Sequence, residues 1–109
     1  MVGFTGIRNV FLYPFSVDMR KGGKSLSSIC CELTDDGQRK DSAFIFFGRN
    51  RKAVKIVVFD DNGIWMFSRM LDSGHFQLPE FSGSGLVIDR RQLQEIINSC
   101  IKTKARKVR

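Results

Sequence analysis

Ala43-Phe44-Ile45-Phe46-Phe47-Gly48-Arg49-Asn50-Arg51-Lys52-Ala53-Val54-Lys55-Ile56-Val57-Val58-Phe59-Asp60-Asp61-Asn62-Gly63-Ile64-Trp65-Met66-Phe67-Ser68-Arg69-Met70 is the stretch that decides the fold. β-branched and aromatic residues dominate 43–47, 53–59 and 64–70, so each run reads as a strand. Asn62-Gly63 between two apolar runs is a strong hairpin signal. Gly48 to Lys52 is also of hairpin length. The stretch therefore predicts a three-stranded antiparallel meander.

Working outward towards the N-terminus, Asn9 to Tyr13 reads as a short strand stopped by Pro14. Asp18 is suited to cap a helix on which Leu26, Ile29, Cys30 and Leu33 share one face. Gly22 and Gly23 weaken its first turns, so either the helix starts late or its backbone approaches something closely. Thr34-Asp35-Asp36-Gly37 is a turn cluster that ends it. Towards the C-terminus, a shorter strand is expected around Phe76 to Leu78, ended by Pro79. The Ser82-Gly83-Ser84-Gly85 loop and a brief extended segment at Leu86 to Ile88 follow. Asp89, with Gln92 as capping-box partner, opens a second helix with Leu93, Ile96, Ile97, Cys100 and Ile101 on its apolar face. The expectation is an α+β fold: an antiparallel β-meander of about four to five strands with two helices packed on one face. Residues 1–101 would form one domain, and 102–109 a flexible basic tail.

With 109 residues, 42% of them hydrophobic, the chain can build one core without disulfides or metal. Cys30, Cys31 and Cys100 are odd in number and contain no C-x-x-C pair, which fits a reducing compartment and small apolar side chains on helix faces. No apolar run approaches the ~20 residues of a membrane span, and the N-terminus lacks the features of a secretory signal. A cytoplasmic protein without a membrane partner is expected.

Catalysis finds little support. Gly22-Gly23-Lys24-Ser25 hints at a phosphate loop, but the first glycine of that motif falls at Asp18. Asp60-Asp61-Asn62-Gly63 lacks the ligand spacing of a calcium loop. Asp35, Asp36, Asp60 and Asp61 all fall in expected turns, and His75 has no evident nucleophile beside it. The reading is a non-enzyme with no cofactor and no metal.

The net charge of +7 is unevenly spread. Lys102, Lys104, Arg106, Lys107 and Arg109 sit in the last eight residues without an acid, so the rest is only slightly basic. Such a tail favours a polyanion. Arg49, Arg51 and Lys52 crowd one hairpin tip around Asn50, Lys55 lies just inside the next strand, and Arg20, Lys21 and Lys24 form a second cluster. A basic ribbon tip can neutralise phosphates. Phe44 and Phe46 share a strand face, as do Trp65 and Phe67, and both pairs read as core. Lys40 to Phe47 partly follows an RNA-recognition pattern, but it lacks the glycine at Asp41 and the first stacking aromatic at Ser42.

Two blocks carry a resemblance. Val17-Asp18-Met19-Arg20-Lys21-Gly22 and Ile45-Phe46-Phe47-Gly48-Arg49-Asn50-Arg51-Lys52-Ala53-Val54-Lys55-Ile56 resemble the TnpB accessory proteins of the insertion sequence sixty-six family, unrelated to the RNA-guided nucleases of that name. The likeness continues through Asp60, Gly63, Trp65, Gly74, Phe76 and Pro79 into Leu86 to Ile97, covering most of 9–98. Arg69-Met70-Leu71-Asp72 stands where the family usually has Lys-Arg-Leu-Glu, and Leu78 where it has a tryptophan. One basic position is thereby lost, while Arg69 joins the nucleic-acid-binding candidates.

The resemblance implies a non-catalytic accessory protein of bacterial transposition, encoded beside a larger catalytic transposase. It supplies no catalytic residues. Two functions from different classes follow. In one, the chain binds DNA at the element's ends through its basic patches. In the other, it is a protein-interaction module that meets the transposase, or other proteins of the element, through a sheet face or edge strand.

Overall fold

The computed structural model describes residues 6–77, 87–88 and 90–98. Its elements are β1 (Asn9–Leu12), α1 (Gly23–Leu33), α2 (Asp36–Arg39), β2 (Ser42–Phe47), β3 (Ala53–Phe59), β4 (Ile64–Met70), β5 (Val87–Ile88) and α3 (Arg90–Asn98). The strands form one five-stranded sheet in the order β4-β3-β2-β1-β5. The α+β class and the meander β2-β3-β4 are as expected, with Phe44 opposite Val57 and Val57 opposite Met66. Val87–Ile88 pairs antiparallel with β1 at the far edge.

The sheet is not wholly antiparallel. Asn9–Leu12 runs parallel to Ser42–Phe47, with Val10 opposite Ala43 and Leu12 opposite Ile45. A parallel pair needs a crossover, and α1 with α2 supplies it. Nor do the two long helices share a face. Leu26 and Cys30 of α1 pack with Phe44, Phe46 and Val57 on one side. Leu93 and Ile96 of α3 pack with Val10, Leu12, Ala43, Ile45, Phe47, Val54, Ile56 and Val58 on the other. The physical reason lies in β2. Side chains alternate along a strand, yet every residue of β2 is buried, so both of its faces need a cover. Truncating Phe44 or Phe46 to alanine under α1 is expected to cost about 3–5 kcal/mol each.

Further differences are local. Asp18 does not cap α1: Gly22 does, without a side-chain bond, and the helix starts at Gly23. Asp18 instead shapes a turn, its carbonyl accepting from the Lys21 N–H at 3.0 Å. Gly23 also lies close to β4, since a Cβ there would stand 3.0 Å from Ile64 Cδ1. Leu33, expected on the buried face of α1, is about half exposed. Asp35 opens the short helix α2 through a capping box with Gln38, where only a turn was expected. No strand forms at Phe76 and Gln77, and His75 is a lone bridge. Leu78, Asp89, Cys100, Ile101 and the basic tail lie outside the described residues.

Candidate nucleic-acid interface

The parallel β1–β2 pair fixes where the charges go. Because the two strands point the same way, the segment leaving β1 and the hairpin leaving β2 emerge at the same end of the sheet. The chain after β1 then runs along β2: the Tyr13 N–H donates to the Ile45 carbonyl at 3.0 Å and the Val17 N–H to the Phe47 carbonyl at 2.9 Å. This brings Met19 onto the β2–β3 hairpin. A Cβ on Gly48 would stand 2.8 Å from Met19 Cγ, so a larger residue there would force the Met19 side chain to shift. Residues 17–22 and 45–56, which carry the family resemblance, therefore touch each other.

The hairpin tip is built to present side chains outward. The Gly48 N–H donates to the Ala53 carbonyl at 3.1 Å, and the Arg51 N–H to the Gly48 carbonyl at 3.0 Å. Asn50 accepts from the Lys52 N–H through its side-chain oxygen at 3.1 Å, so it shapes the turn. Arg51 sits at φ 59°, in the left-handed region. A side chain there costs roughly 1 kcal/mol relative to glycine. Arg49, Arg51 and Lys52 are all exposed. The carbonyls of Arg51 and Lys52 accept from the Phe76 and Leu71 N–H groups at 2.8 Å each, which pins the post-β4 segment to the tip. The Arg69 guanidinium lies 5.9 Å from the centre of the Phe76 ring, adding a cation beside it.

The second cluster meets the first. Lys55 donates through Nζ to the Lys21 carbonyl at 2.8 Å, joining β3 to the start of α1. An ammonium has three donors, so this bond leaves Lys55 able to meet an anion as well. Lys24 lies in the first turn of α1, whose amino end adds a positive partial charge. Arg20 stands apart electrostatically. Its guanidinium forms a two-point contact with Asp18 at 2.7 and 3.0 Å, which holds the Asp18 carboxyl well below the usual carboxylate range. The pair is close to neutral as a unit. A groove of about 530 Å³ runs between Ser16–Met19 and Gly48–Asn50, with Asp18 and Arg49 both on its walls.

The opposite end of the sheet holds five acids among the cations Arg8, Arg39 and Lys40. Asp60 and Asp61 occupy the β3–β4 turn, Asp41 precedes β2, and Asp35 and Asp36 open α2. Asp60 accepts from the Asn62 and Gly63 N–H groups at 2.9 and 3.0 Å and from Trp65 Nε1 at 2.9 Å, and these donors lower its pKa. Lys40 pairs with Asp61 at 3.0 Å, which raises the lysine pKa. β3 is about 20 Å long at ~3.3 Å per residue. That is more than two screening lengths of about 8 Å at physiological salt. These five acids therefore do little to cancel the field of the basic end, where the nearer acids are Asp18, paired with Arg20, and Asp72.

Trp65 and Phe67 were expected in the core with Phe44 and Phe46. Phe44 and Phe46 are fully buried, but Trp65 is 41% exposed and stacks on the half-buried Phe67 at the sheet edge. Among the described residues, no group of His, Cys, Asp and Glu is placed to hold a metal ion. Cys30 is buried, and burial pushes its thiol up to about 12, which leaves it unreactive. No helix among the described residues is long and apolar enough to cross a membrane.

What the fold and these clusters define is an α+β domain with exposed cations concentrated at the tip of one hairpin. Residues 8–107 match the family model described as IS66 Orf2 like protein, and the chain belongs to that family of transposition-associated accessory proteins. It is also 30% identical over 89 residues to "Uncharacterized protein y4hO" of Sinorhizobium fredii (strain NBRC 101917 / NGR234), a match that covers 82% of this chain and 77% of that protein. No solved structure matches.

Proposed function

We propose that the basic end of the sheet binds the phosphate backbone of DNA, so that the chain holds element-end DNA for a separate transposase. One observation carries this reading. Lys21 and Lys55 are distant in sequence yet joined by a hydrogen bond, and Arg49, Arg51 and Lys52 are exposed together at the tip of the hairpin that leads into Lys55. Phosphate contacts position a protein on DNA without reading its sequence, and this surface offers cations rather than base-reading pairs. Arg49, Arg51, Lys52, Lys55, Lys21 and Lys24 would be the phosphate ligands. Arg69 would flank them, Asn50 would shape the tip, and Arg20 would act through its pair with Asp18. The tail at Lys102, Lys104, Arg106 and Lys107 would add non-specific affinity. The test is fluorescence anisotropy with an element-end duplex and a shuffled control at two salt concentrations. Arg51→Ala with Lys52→Ala should weaken binding to both duplexes alike and flatten the salt dependence. Unchanged affinity in that double variant would remove the hairpin from the interface.

A second reading, contact with the transposase, is favoured by β4. Among the described residues it is an edge strand paired only to β3, and it leaves Ile64, Trp65 and Met66 about two-fifths exposed and Met70 74% exposed. An open apolar edge is a template for strand addition. Co-expressed transposase should then stay with this chain on a sizing column after nuclease treatment, and Met70→Lys should release it. Clean separation of the unaltered proteins would remove this reading.

A further inference from the structure

Phe15 is 68% exposed, yet it is firmly placed. It lies between the two backbone bonds that tie Tyr13 and Val17 to β2, and Pro14 restricts the backbone just before it. Its ring meets the Tyr13 ring edge-on at 5.7 Å, and Tyr13 in turn leans on the buried Phe46 ring at 5.4 Å. Phe15 is therefore propped on the core with much of its surface open to solvent. Single exposed apolar residues are ordinary on protein surfaces. What sets this one apart is its neighbourhood. It borders a cavity of about 150 Å³ whose other walls include Phe47, Arg49 and Arg51.

A held aromatic ring beside two guanidinium-bearing side chains suits one class of ligand, an unpaired nucleobase with its flanking phosphates. The ring offers a stacking surface, and the arginines offer charge to the backbone on either side. In an intact duplex each base is already stacked within the helix, so Phe15 gains a partner only where the duplex is opened. We infer that Phe15, Arg49 and Arg51 form a base-stacking site that makes the basic end prefer DNA with unpaired bases over intact duplex. This rests on the DNA-binding reading above and adds to it the kind of DNA that is held.

The test uses the full chain with a blunt duplex and with the same duplex carrying a short single-stranded extension that contains a fluorescent adenine analogue. The unaltered protein should bind the extended DNA about ten-fold more tightly, the lower range of what one stacked base contributes, and should quench the analogue. Phe15→Ala should keep its affinity for blunt duplex and lose both the preference and the quenching, while Phe15→Trp should keep them. Circular dichroism checks that the variants are folded, as expected for a side chain this exposed. Equal affinity for the two DNAs in the unaltered protein, or a preference that survives in Phe15→Ala, would overturn this inference while leaving DNA binding intact. Failure to bind either DNA would overturn both.

Discussion

The two ends of the sheet are built alike but use their charges differently. Each has a hairpin turn and a non-glycine residue in the left-handed region, Arg51 at φ 59° and Asp41 at φ 58°. At the end that holds Asp41 the charges are largely absorbed into local structure. Asp60 closes its turn, Asp35 caps α2, and Asp61 pairs with Lys40. At the basic end the bonds that shape the turn come from the backbone and Asn50, and the cations of Arg49, Arg51 and Lys52 project from it. Charge at one end supports the fold, while charge at the other is held out for something else.

The comparison breaks most readily under charge reversal. Arg51→Glu with Lys52→Glu should reduce DNA affinity by at least tenfold in an anisotropy titration, because it replaces attraction with repulsion at the tip. Asp61→Lys at the other end should change affinity by less than about twofold at physiological salt, given the screening length. If the two reversals acted equally, binding would follow net charge and not the basic end.

A subtler pair separates stability from binding. Arg51→Gly and Asp41→Gly each relieve a left-handed side chain and should each stabilise the fold by up to about 1 kcal/mol in denaturant unfolding. Aspartate tolerates this region better, so its gain should be the smaller. Only Arg51→Gly should weaken DNA binding. A turn that loses stability when Arg51 becomes glycine would mean that the arginine side chain supports the hairpin, as the acids do at the other end.

The smallest effect concerns acid. Asp60 and Asp18 are both held below their ordinary pKa, so each contributes stability that is fully present above the unfolded value of about 4 and is lost as pH falls through the lowered native value. The melting temperature should therefore drop below about pH 4. Asp60→Asn should start lower at neutral pH and show a shallower drop. A parallel pH profile for the variant would show that the Asp60 bonds are not what the acid removes.

Much of this architecture was legible in the sequence. β-branched runs located β2, β3 and β4, and Asn62-Gly63 located one hairpin. Leu93 and Ile96 marked the buried face of α3. What escaped was non-local. Nothing near Asn9 says that it will lie parallel to Ser42, because that depends on α1 crossing the sheet between them. Ala43 to Phe47 is nevertheless apolar without alternation, the pattern of a strand covered on both faces. Read that way, it argues against two helices on one side. The Asp35 to Gln38 capping box was also present in the sequence. For the site, composition gave the cations, but the meeting of Lys21 with Lys55 depends on the segment after β1 folding back onto the β2–β3 hairpin, where Met19 meets Gly48. The pairing of Arg20 with Asp18 removes one expected cation from the free set.

The central claim is that the folded basic end, and not the tail, binds DNA. The most direct measurement is the salt dependence of element-end duplex binding by a full-length chain with Lys102, Lys104, Arg106, Lys107 and Arg109 replaced by glutamine. The account predicts binding that persists, with affinity that falls linearly against the logarithm of salt at a slope of about −0.9 per phosphate neutralised. Loss of binding in the tail-neutralised chain would contradict it and assign the affinity to the tail.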